Sequence, residues 1–301
     1  MVDSVTVKAP GKINLILRVG APGPDGYHDL VTCFHAVDIS ETITVAHADE
    51  FSLSVAGSVS LDEIPLGGDN LAIRAAKALA ALSGYQGGAK ITIDKQVPVG
   101  GGMGGGSADA AGALVALNEL WQTGHDIAEL LAVAAPLGAD VPFALLGGSA
   151  VGRGRGDQLT SVPSGVFNWV LVPSAVHLST PQVYATLDVL RGDEAVVAPR
   201  EPSEEFFAAM ASGDATALAP LLVNDLAPAS LELHPDLART LSQGKGLGAL
   251  AGMVSGSGPT LVFLAADAQG AEHLALGLEA GGHRALRVTS PVQGAHLVES
   301  R

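Results

Sequence analysis

The chain has 301 residues, 48% of them hydrophobic, and its 31 acidic and 16 basic side chains give a formal net charge of −15. This charge argues against nucleic acid and anionic membrane surfaces as partners, because both need a concentrated basic face. The single cysteine, Cys33, excludes an intrachain disulfide. With neither a signal-peptide pattern nor a membrane span in the sequence, we expect a soluble, cytoplasmic protein.

Strand and helix patterns alternate in the first half of the chain. A helix is predicted to begin at Asp69 or Asn70, either of which can cap it, and to end at Gly84. A second helix is predicted over 107–121, where apolar residues recur at helical spacing. The predicted strands of this half cover residues 5–7, 13–19, 30–39, 42–46, 51–55 and 90–94.

The order of the elements changes after about residue 160. A strand, several helices, a strand–turn–strand unit, a helix and a last strand are predicted, in that order, over residues 167–173, 180–243, 253–264, 269–280 and 284–289. The segment 152–158 is rich in glycine and charge and could separate two units. We therefore predict two domains of mixed α/β class, residues 1–160 and 161–301.

A glycine-rich segment, PVGGGMGGGSADAAGAL at 98–114, has six glycines in the seven positions 100–106. Glycine loses more conformational freedom on folding than any other residue, so an ordered run needs a reason. Apolar periodicity flanks the run on both sides, which argues against a flexible linker. The dinucleotide pattern G-x-G-x-x-G is met from Gly100, but the acid at the right distance, Glu119, lies inside the predicted helix instead of at a strand end.

The same segment is better interpreted as a phosphate cradle. Bare glycine N–H groups can surround phosphates, and the positive end of the helix predicted over 107–121 would point at them. The Walker pattern is not used, because neither Gly11-Lys12 nor Gly244-Lys245 is followed by Ser or Thr. From residue chemistry alone we favour a phosphate site of another type.

Several motifs resemble the GHMP kinase superfamily, which contains galacto-, homoserine, mevalonate and phosphomevalonate kinases. The segment 98–111 resembles its ATP loop, and APGKINLIL (9–17) and VSGSGPTLVFL (254–264) resemble its two other motifs. Three further segments resemble one branch, the kinases that act on cytidine-diphosphate-methylerythritol in the non-mevalonate isoprenoid pathway. These segments are DGYHDL (25–30), DNLAIRAA (69–76) and GADVPFALLGG (138–148).

The resemblance implies a two-domain α/β (α+β) fold. The N-terminal, ATP-binding domain would be similar to ribosomal protein S5 domain 2, the C-terminal, substrate-binding domain would be ferredoxin-like, and the site would lie between them. The implied reaction transfers the γ-phosphoryl of ATP, with Mg²⁺ expected, to a hydroxyl of the methylerythritol unit to give the 2-phosphate. No motif identifies protein ligands for Mg²⁺, and either a monomer or a homodimer is expected.

Asp140 and Lys12 match the catalytic positions of the family. Asp140 would accept the proton of the reacting hydroxyl. Since Pro142 follows two residues later, Asp140 is also expected to cap the start of a helix. Lys12 would keep Asp140 ionised and offset charge near the transferring phosphoryl. An exposed strand lysine is the structural alternative for Lys12.

The other matched positions divide into a nucleotide side and an acceptor side. The implied ATP contacts are Asn70, Lys95, Pro98, Gly100, Gly101, Gly102, Met103, Gly104, Gly105, Gly106 and Ser107. The implied acceptor contacts are Asn14, Tyr27, His28, Phe34, Tyr184, Ser255, Gly256 and Ser257. Ser107 is expected to cap the loop helix, and Met103 stands where the family has leucine. Tyr27 and Tyr184 would enclose the cytosine ring, while an ordinary loop tyrosine and an ordinary core phenylalanine are the alternatives for Tyr27 and Phe34.

Two other functions stay open from the sequence. One is another kinase of the superfamily, such as homoserine or mevalonate kinase, and the DGYH motif with the Tyr27/Tyr184 pair argues against it. The other is a protein that binds the nucleotide without catalysis. The presence of both Lys12 and Asp140 argues against this second function, since a binding protein needs no base.

Overall fold

A computed structural model describes residues 2–24, 26–59, 61, 64–174, 176–192, 196 and 198–301 of the chain. Strands and helices alternate in its first part. They are β1 (Ser4–Pro22), β2 (His28–Ala48), β3 (Ser52–Gly57), α1 (Leu71–Ser83), β4 (Gly88–Lys95), α2 (Gly105–Leu120), α3 (Ile127–Ala134), α4 (Val141–Leu146), β5 (Ser149–Gly154) and β6 (Gln158–Ser161).

Helices dominate the second part between its first and second strands. Its elements are β7 (Phe167–Val172), α5 (Thr180–Arg191), α6 (Glu204–Ser212), α7 (Ala215–Leu218), β8 (Val223–Asn224), α8 (Ala227–Leu233), α9 (Asp236–Gly246), β9 (Ala251–Val254), β10 (Leu261–Ala265), α10 (Ala268–Ala280), β11 (Leu286–Ser290) and β12 (His296–Ser300). Among the described residues, no helix combines the length and the apolar character needed to cross a membrane.

The first sheet has the order β12-β1-β2-β4-β3, with β5 also paired to β2, β6 to β5 and β8 to β1. β1 and β2 are each one long strand where the sequence predicted two. They stay paired because register shifts after Pro10 and after Asn14 absorb the irregular residues. Pro10 and Gly11, which lie between the strands predicted over 5–7 and 13–19, are therefore part of one strand.

Helices α1 and α2 cover one face of this sheet, and α2 packs on both β1 and β2. Small side chains such as Ala108 and Ala111 bring α2 close to Val7 and Ile43, all fully buried. The prediction for α1 is confirmed at both ends. The side chain of Asn70 accepts a hydrogen bond from the Ala72 N–H at 2.9 Å, and Gly84 ends the helix in the left-handed conformation.

The second sheet has the order β11-β7-β10-β9 and is antiparallel throughout. Helical segments separate β7 from β9, a tight turn joins β9 to β10, and α10 leads from β10 to β11. The predicted strand–turn–strand unit and the helix after it are confirmed. This arrangement is the predicted ferredoxin-like one.

Two predictions about the chain path are wrong. The chain does not finish at a strand over 284–289, because β12 follows and pairs with β1 of the first sheet. Its side chains are mostly exposed, so they leave no apolar alternation in the sequence. The segment 152–158 also does not separate two units, since it lies in the hairpin of β5 and β6. The division into residues 1–160 and 161–301 stays a prediction.

A buried polar network joins the two parts of the chain. The His35 ring has its Nδ1 2.7 Å from Ser149 Oγ and its Nε2 2.6 Å from Ser290 Oγ. The indole N–H of Trp169 donates to the same Ser290 oxygen at 2.8 Å. Burial lowers the pKa of His35 to about 3, so the ring is neutral at pH 7. Around it, apolar residues of β1 and β2 pack against β7 and β10.

Candidate active site

A cavity of about 780 Å³ lies where the glycine-rich turn meets β1, the start of α4 and the turn after β9. Most of the predicted site residues line it, from both parts of the chain. They are Lys12, Asn14, Phe34, Asn70, Lys95, Pro98, Gly100, Gly101, Gly102, Met103, Gly104, Gly105, Gly106, Ser107, Asp140, Tyr184, Gly256 and Ser257. The sequence-predicted residues therefore converge on one space.

The glycine-rich turn leads directly into α2. Gly104 is the N-cap residue with a φ of 71°, in the left-handed region that favours glycine, and no side chain caps the helix. The prediction that Ser107 caps it is wrong, because the helix begins at Gly105 and places Ser107 in its first turn. The first N–H groups of α2 have no intrahelical partner, so this end of the cavity suits an anion.

A second glycine turn packs against the first. A Cβ atom on Gly102 would lie 2.1 Å from the carbonyl oxygen of Ser255, so any other residue there would push the two turns apart. Ser255 is fully buried, and its hydroxyl donates to the Gly102 carbonyl at 3.4 Å. The side-chain amide of Asn224 donates to the Gly256 carbonyl at 2.8 Å. Gly256 and Ser257 of this turn line the cavity, whereas Ser255, predicted as an acceptor contact, is not part of its described lining.

Lys12 lies between the two turns. Its ammonium group donates to Asn14 Oδ1 at 2.8 Å and to the Gly102 carbonyl at 2.9 Å. Asn14 is oriented in turn by Thr32, whose hydroxyl accepts from the Asn14 amide at 2.8 Å. Lys12 and Asn14 lie on the same strand face, as their spacing predicted. Lys12 is buried, so the alternative of an exposed strand lysine is wrong.

Asp140 stands opposite Lys12, with its Oδ2 3.3 Å from the lysine Nζ. It directly precedes α4, as predicted, but its side chain makes no capping hydrogen bond. The prediction that its carboxylate caps the helix is therefore wrong. The side chain is 31% exposed, against 9% for Lys12, which leaves a carboxylate paired with a cation and still open to the cavity. Such a group can accept a proton from a bound molecule.

The acceptor-side aromatic residues lie around the start of β2 and α5. His28 Nε2 is 2.9 Å from Asp188 Oδ1, and the His28 and Tyr184 ring centroids are 5.0 Å apart. Burial, with a smaller effect of the Asp140 charge, raises the pKa of Tyr184 to about 12. Tyr27 is 57% exposed, and the guanidinium carbon of Arg155 lies 3.6 Å from its ring centroid.

Tyr184 and Arg155 belong to the described lining of the cavity, whereas Tyr27 and His28 lie beside it. Phe34 lines the cavity and also stacks on Phe143, with ring centroids 5.0 Å apart. It is therefore in part the ordinary core phenylalanine that was the alternative to a binding role. The Asp25 position of the DGYH motif lies outside the described residues. The enclosure of cytosine by Tyr27 and Tyr184 stays a prediction.

On the nucleotide side, Asn70 lines the cavity while capping α1. Lys95 also lines the cavity, and its contact with ATP stays a prediction. Its side chain is only 3% exposed and pairs with Glu41 at 2.6 Å and Asp109 at 2.8 Å. Neither carboxylate was among the predicted site residues. Asp109, a charged residue within the small apolar positions of α2, was a signal that could have identified one of them.

Two further residues of the cavity lining were not predicted, and two predicted residues support the glycine turns. Thr32 and Arg155 line the cavity and carry no motif that marks them. Ser257 Oγ lies 2.9 Å from Thr180 Oγ1, which joins the second glycine turn to α5. Met103 is fully buried, and its carbonyl accepts from the Lys12 N–H at 3.0 Å, so the backbone of the turn is held as expected. No group of three or more metal-ligating side chains occurs among the described residues.

Comparison with known proteins gives the family. The model of the GHMP kinases N terminal domain matches residues 70–148, and that of the GHMP kinases C terminal domain matches residues 206–284. The chain is 52% identical over 299 residues to the 4-diphosphocytidyl-2-C-methyl-D-erythritol kinase of Mycolicibacterium smegmatis, covering 98% of this chain and 92% of that protein. It is 48% identical to the protein of the same name from Leifsonia xyli subsp. xyli, covering 98% and 99%.

Comparison with solved structures leads to the same family. A crystal structure of a 4-(cytidine 5'-diphospho)-2C-methyl-D-erythritol kinase matches with a TM-score of 0.79 at 33% identity, covering 95% of this chain and 99% of that one. A homoserine kinase from Cytophaga hutchinsonii matches with a TM-score of 0.73 at 20% identity, covering 99% and 98%. The second likeness shows the shared fold alone.

Proposed function

The chain belongs to the 4-diphosphocytidyl-2-C-methyl-D-erythritol kinases, a branch of the GHMP kinases, and on that premise we propose how its residues carry out the reaction. The enzyme transfers the γ-phosphoryl group of ATP to a hydroxyl of 4-diphosphocytidyl-2-C-methyl-D-erythritol in the isoprenoid pathway. We propose the 2-phosphate as the product. Phosphoryl transfer depends mainly on positioning and on stabilising charge, which is what this cavity offers.

The observation that carries the proposal is the Lys12–Asp140 pair, 3.3 Å apart beside the glycine-rich turn. Asp140 accepts the proton of the acceptor hydroxyl as its oxygen bonds to the γ-phosphorus, and the bond from that phosphorus to the leaving oxygen of ADP breaks. Lys12 keeps Asp140 ionised before the reaction and offsets negative charge on the transferring group. Asn14, which holds the Lys12 ammonium, contacts the acceptor.

The phosphates of ATP are placed at the first turn of α2, where N–H groups of Gly105, Gly106 and Ser107 are unpaired within the helix. We propose that ATP enters as its Mg²⁺ complex, with phosphate oxygens and water as the main ligands, because Mg²⁺ dehydrates reluctantly and is commonly bound through substrate phosphates. The ion would lower the repulsion between the phosphates and the attacking oxygen. The cytosine ring of the acceptor would lie at the Tyr27–Tyr184 end.

The two alternative functions have less support. A homoserine kinase and a mevalonate kinase of known structure share 20% and 17% identity with the chain, so they support the fold and not their own substrates. A binding protein without catalysis would not need a carboxylate and an ammonium group paired at the mouth of a phosphate site. The cytoplasmic location and the monomeric or dimeric state stay predictions.

An acceptor panel tests the proposed function. ADP release would be followed with ATP and one acceptor at a time: the cytidine-diphosphate-linked methylerythritol, homoserine and mevalonate. We expect strong turnover with the first alone. Turnover with homoserine or mevalonate at a comparable rate would contradict the proposed acceptor, and ATP binding without turnover on any of them would favour the binding protein.

Replacing Tyr27 tests where the cytosine lies. Stacking on an aromatic side chain contributes about 1–3 kcal/mol per base, so Tyr27→Ala should raise the KM of the acceptor roughly ten- to a hundredfold. The KM of ATP should hardly change. Tyr27→Phe is the matched control, because it keeps the ring face, and it should be nearly silent. A rise in the KM of ATP instead would place the ring on the nucleotide side, and no change in a folded variant would leave Tyr27 an ordinary loop tyrosine.

A further inference from the structure

A nearly buried ion cluster lies beneath the first turns of α2, and the proposed mechanism does not use it. Lys95 and Asp109 of this cluster belong to the described lining of the cavity, and Glu41 lies behind them. It joins Glu41 of β2, Lys95 at the end of β4 and Asp109 of α2, with the lysine Nζ 2.6 Å from Glu41 Oε1 and 2.8 Å from Asp109 Oδ2. The three side chains are 0%, 3% and 5% exposed. The second oxygen of Glu41 accepts from the Gln96 N–H at 2.8 Å. The cluster thus ties two strands to the helix that bears the proposed phosphate site.

Gly105, the first residue of α2, lies directly against this cluster. A Cβ atom on Gly105 would lie 2.9 Å from Glu41 Oε1 and 3.3 Å from Lys95 Nζ. The backbone of the first turn of α2 therefore rests directly on the carboxyl of Glu41. Any change in the charge or position of that carboxyl acts on the N–H groups proposed to hold the phosphates.

The cluster contains one more acidic than basic group. Glu41 faces Lys95 from β4 and Asp109 from α2, and the Lys12–Asp140 pair lies across the turn, beside Gly104. Among the described residues, Oδ1 of Asp109 is buried without a hydrogen-bond partner. Burial raises the pKa of Glu41 to about 7, with Lys95 opposing the shift and the charge of Asp109 adding to it. Burial also raises the pKa of Asp109.

We propose that Glu41 is a positioning residue for the ATP phosphates and that the Glu41–Asp109 pair takes up a proton when ATP binds. The inference rests on the proposed ATP site at α2. The phosphates bring negative charge to the other side of Gly105, and a nearby like charge favours the neutral form of a carboxyl group. The proton comes from solvent and stays on the pair while the phosphates are bound. The Lys95 ammonium is then opposed by one carboxylate instead of two, so its charge supports the phosphate site.

Calorimetry measures this proton directly. The β,γ-imido analogue of ATP with Mg²⁺ would be titrated into the protein near pH 7 in several buffers whose ionisation enthalpies differ. The slope of the observed enthalpy against the buffer enthalpy gives the number of protons taken up. We expect uptake by the cluster of about 0.5 proton per nucleotide, because a group near its pKa is half protonated before binding. Above about pH 7, the affinity of the wild type for the nucleotide should fall by at most about tenfold per pH unit.

Glu41→Gln should lower the proton number by that amount, since glutamine keeps the shape but cannot titrate. Glu50→Gln is the matched control, an exposed glutamate just after the same strand, and should keep the wild-type number. Protons bound by the nucleotide itself are common to all three proteins and cancel in the comparison. A purely structural role of Glu41 would change stability without changing the proton number.

An equal proton number in the wild type and Glu41→Gln would overturn the inference while leaving the ATP site intact. Absence of any nucleotide binding by the wild type would instead overturn the proposed function, and the inference with it. Should Glu41→Gln not fold, Asp109→Asn takes its place with the same expectation, because it removes the charge that favours a proton on Glu41. Should neither variant fold, zero proton uptake by the wild type, after correction for the protons that the free nucleotide carries at the same pH, would overturn the inference.

Discussion

Two ionic groups flank the same glycine-rich turn and differ in access to solvent. On one side, Gly104 lies against the open pair Lys12–Asp140, whose carboxylate is 31% exposed. On the other side, Gly105 lies against the sealed cluster Glu41–Lys95–Asp109, in which every side chain is at most 5% exposed. Consecutive residues of one turn thus contact a carboxylate that is open to the cavity and a cluster in which Glu41 is fully buried, while Lys95 and Asp109 reach the cavity wall with at most 5% of their side chains exposed.

The difference indicates a division of labour. A general base must be ionised and must meet the proton that it accepts, which suits Asp140. A buried ion cluster adds little net stability when complete, but losing one partner leaves a charge uncompensated in the interior. The open pair should therefore control turnover, and the sealed cluster should control stability and the support of the phosphate site.

The largest expected effect is on turnover, at the open pair. Asp140→Asn keeps the shape of the side chain but cannot accept the proton, and losing a general base typically costs about 10²–10⁴-fold in rate. ATP binding and the unfolding free energy should remain close to those of the wild type. Asp49→Asn, at an exposed carboxylate after β2, is the control. Near-normal kcat in Asp140→Asn would show that Asp140 is not the general base, and the catalytic difference between the two ionic groups would be lost with it.

The next effect is on stability, at the sealed cluster. Lys95→Met leaves two carboxyl groups buried without their cation, and removing one partner of a buried ion pair costs about 3–5 kcal/mol of unfolding free energy. Denaturant unfolding would measure it. Lys90→Met, at an exposed lysine of the same strand, should change stability by less than about 0.5 kcal/mol. Equal stability of the two variants would show that the cluster is not a sealed support.

A smaller effect is expected at Gly105, in the turn that lies between the two ionic groups. Gly105→Ala places a methyl group 2.9 Å from Glu41 Oε1, and overpacking a tight site costs about 1–3 kcal/mol. We expect weaker ATP binding in a folded protein, measured by calorimetry. Gly106→Ala is the matched comparison, because its nearest atom would be Leu71 Cδ1 at 3.7 Å, and it should lose less. Equal losses of ATP affinity in the two variants would mean that the contact between Gly105 and the cluster does not affect ATP binding.

The smallest effect is the pH dependence of stability. The pKa of Glu41 is raised from an ordinary 4.5 to about 7 in the folded protein, so the folded state binds more protons between these values. Its contribution is fully present below about pH 4.5 and is lost as the pH rises through 7, at no more than about 1.4 kcal/mol per pH unit for one proton. Unfolding curves measured across this range should show a flatter slope in Glu41→Gln. An unchanged slope would exclude Glu41 as the titrating group.

Local signals predicted a large part of the fold. Asn70 and Gly84 marked both ends of α1, since each acts through its own neighbouring backbone. The alternation in β4 and the strand–turn–strand of β9 and β10 were predicted for the same reason. The exposed side chains of β12 left no such pattern, and so its return to the first sheet was missed.

By itself, the sequence determined where the glycine-rich turn lies, that a helix follows it, and which motifs relate the chain to its family. The resemblance already implied that Lys12 acts beside Asp140, and the tertiary structure gave the 3.3 Å between them. Only the tertiary structure decided that Lys95 is held between Glu41 and Asp109. The physical reason is that a cap or a turn depends on adjacent residues, whereas an ion pair depends on which distant strands and helices pack together. Burial, which separates the open pair from the sealed cluster, belongs to that packing alone.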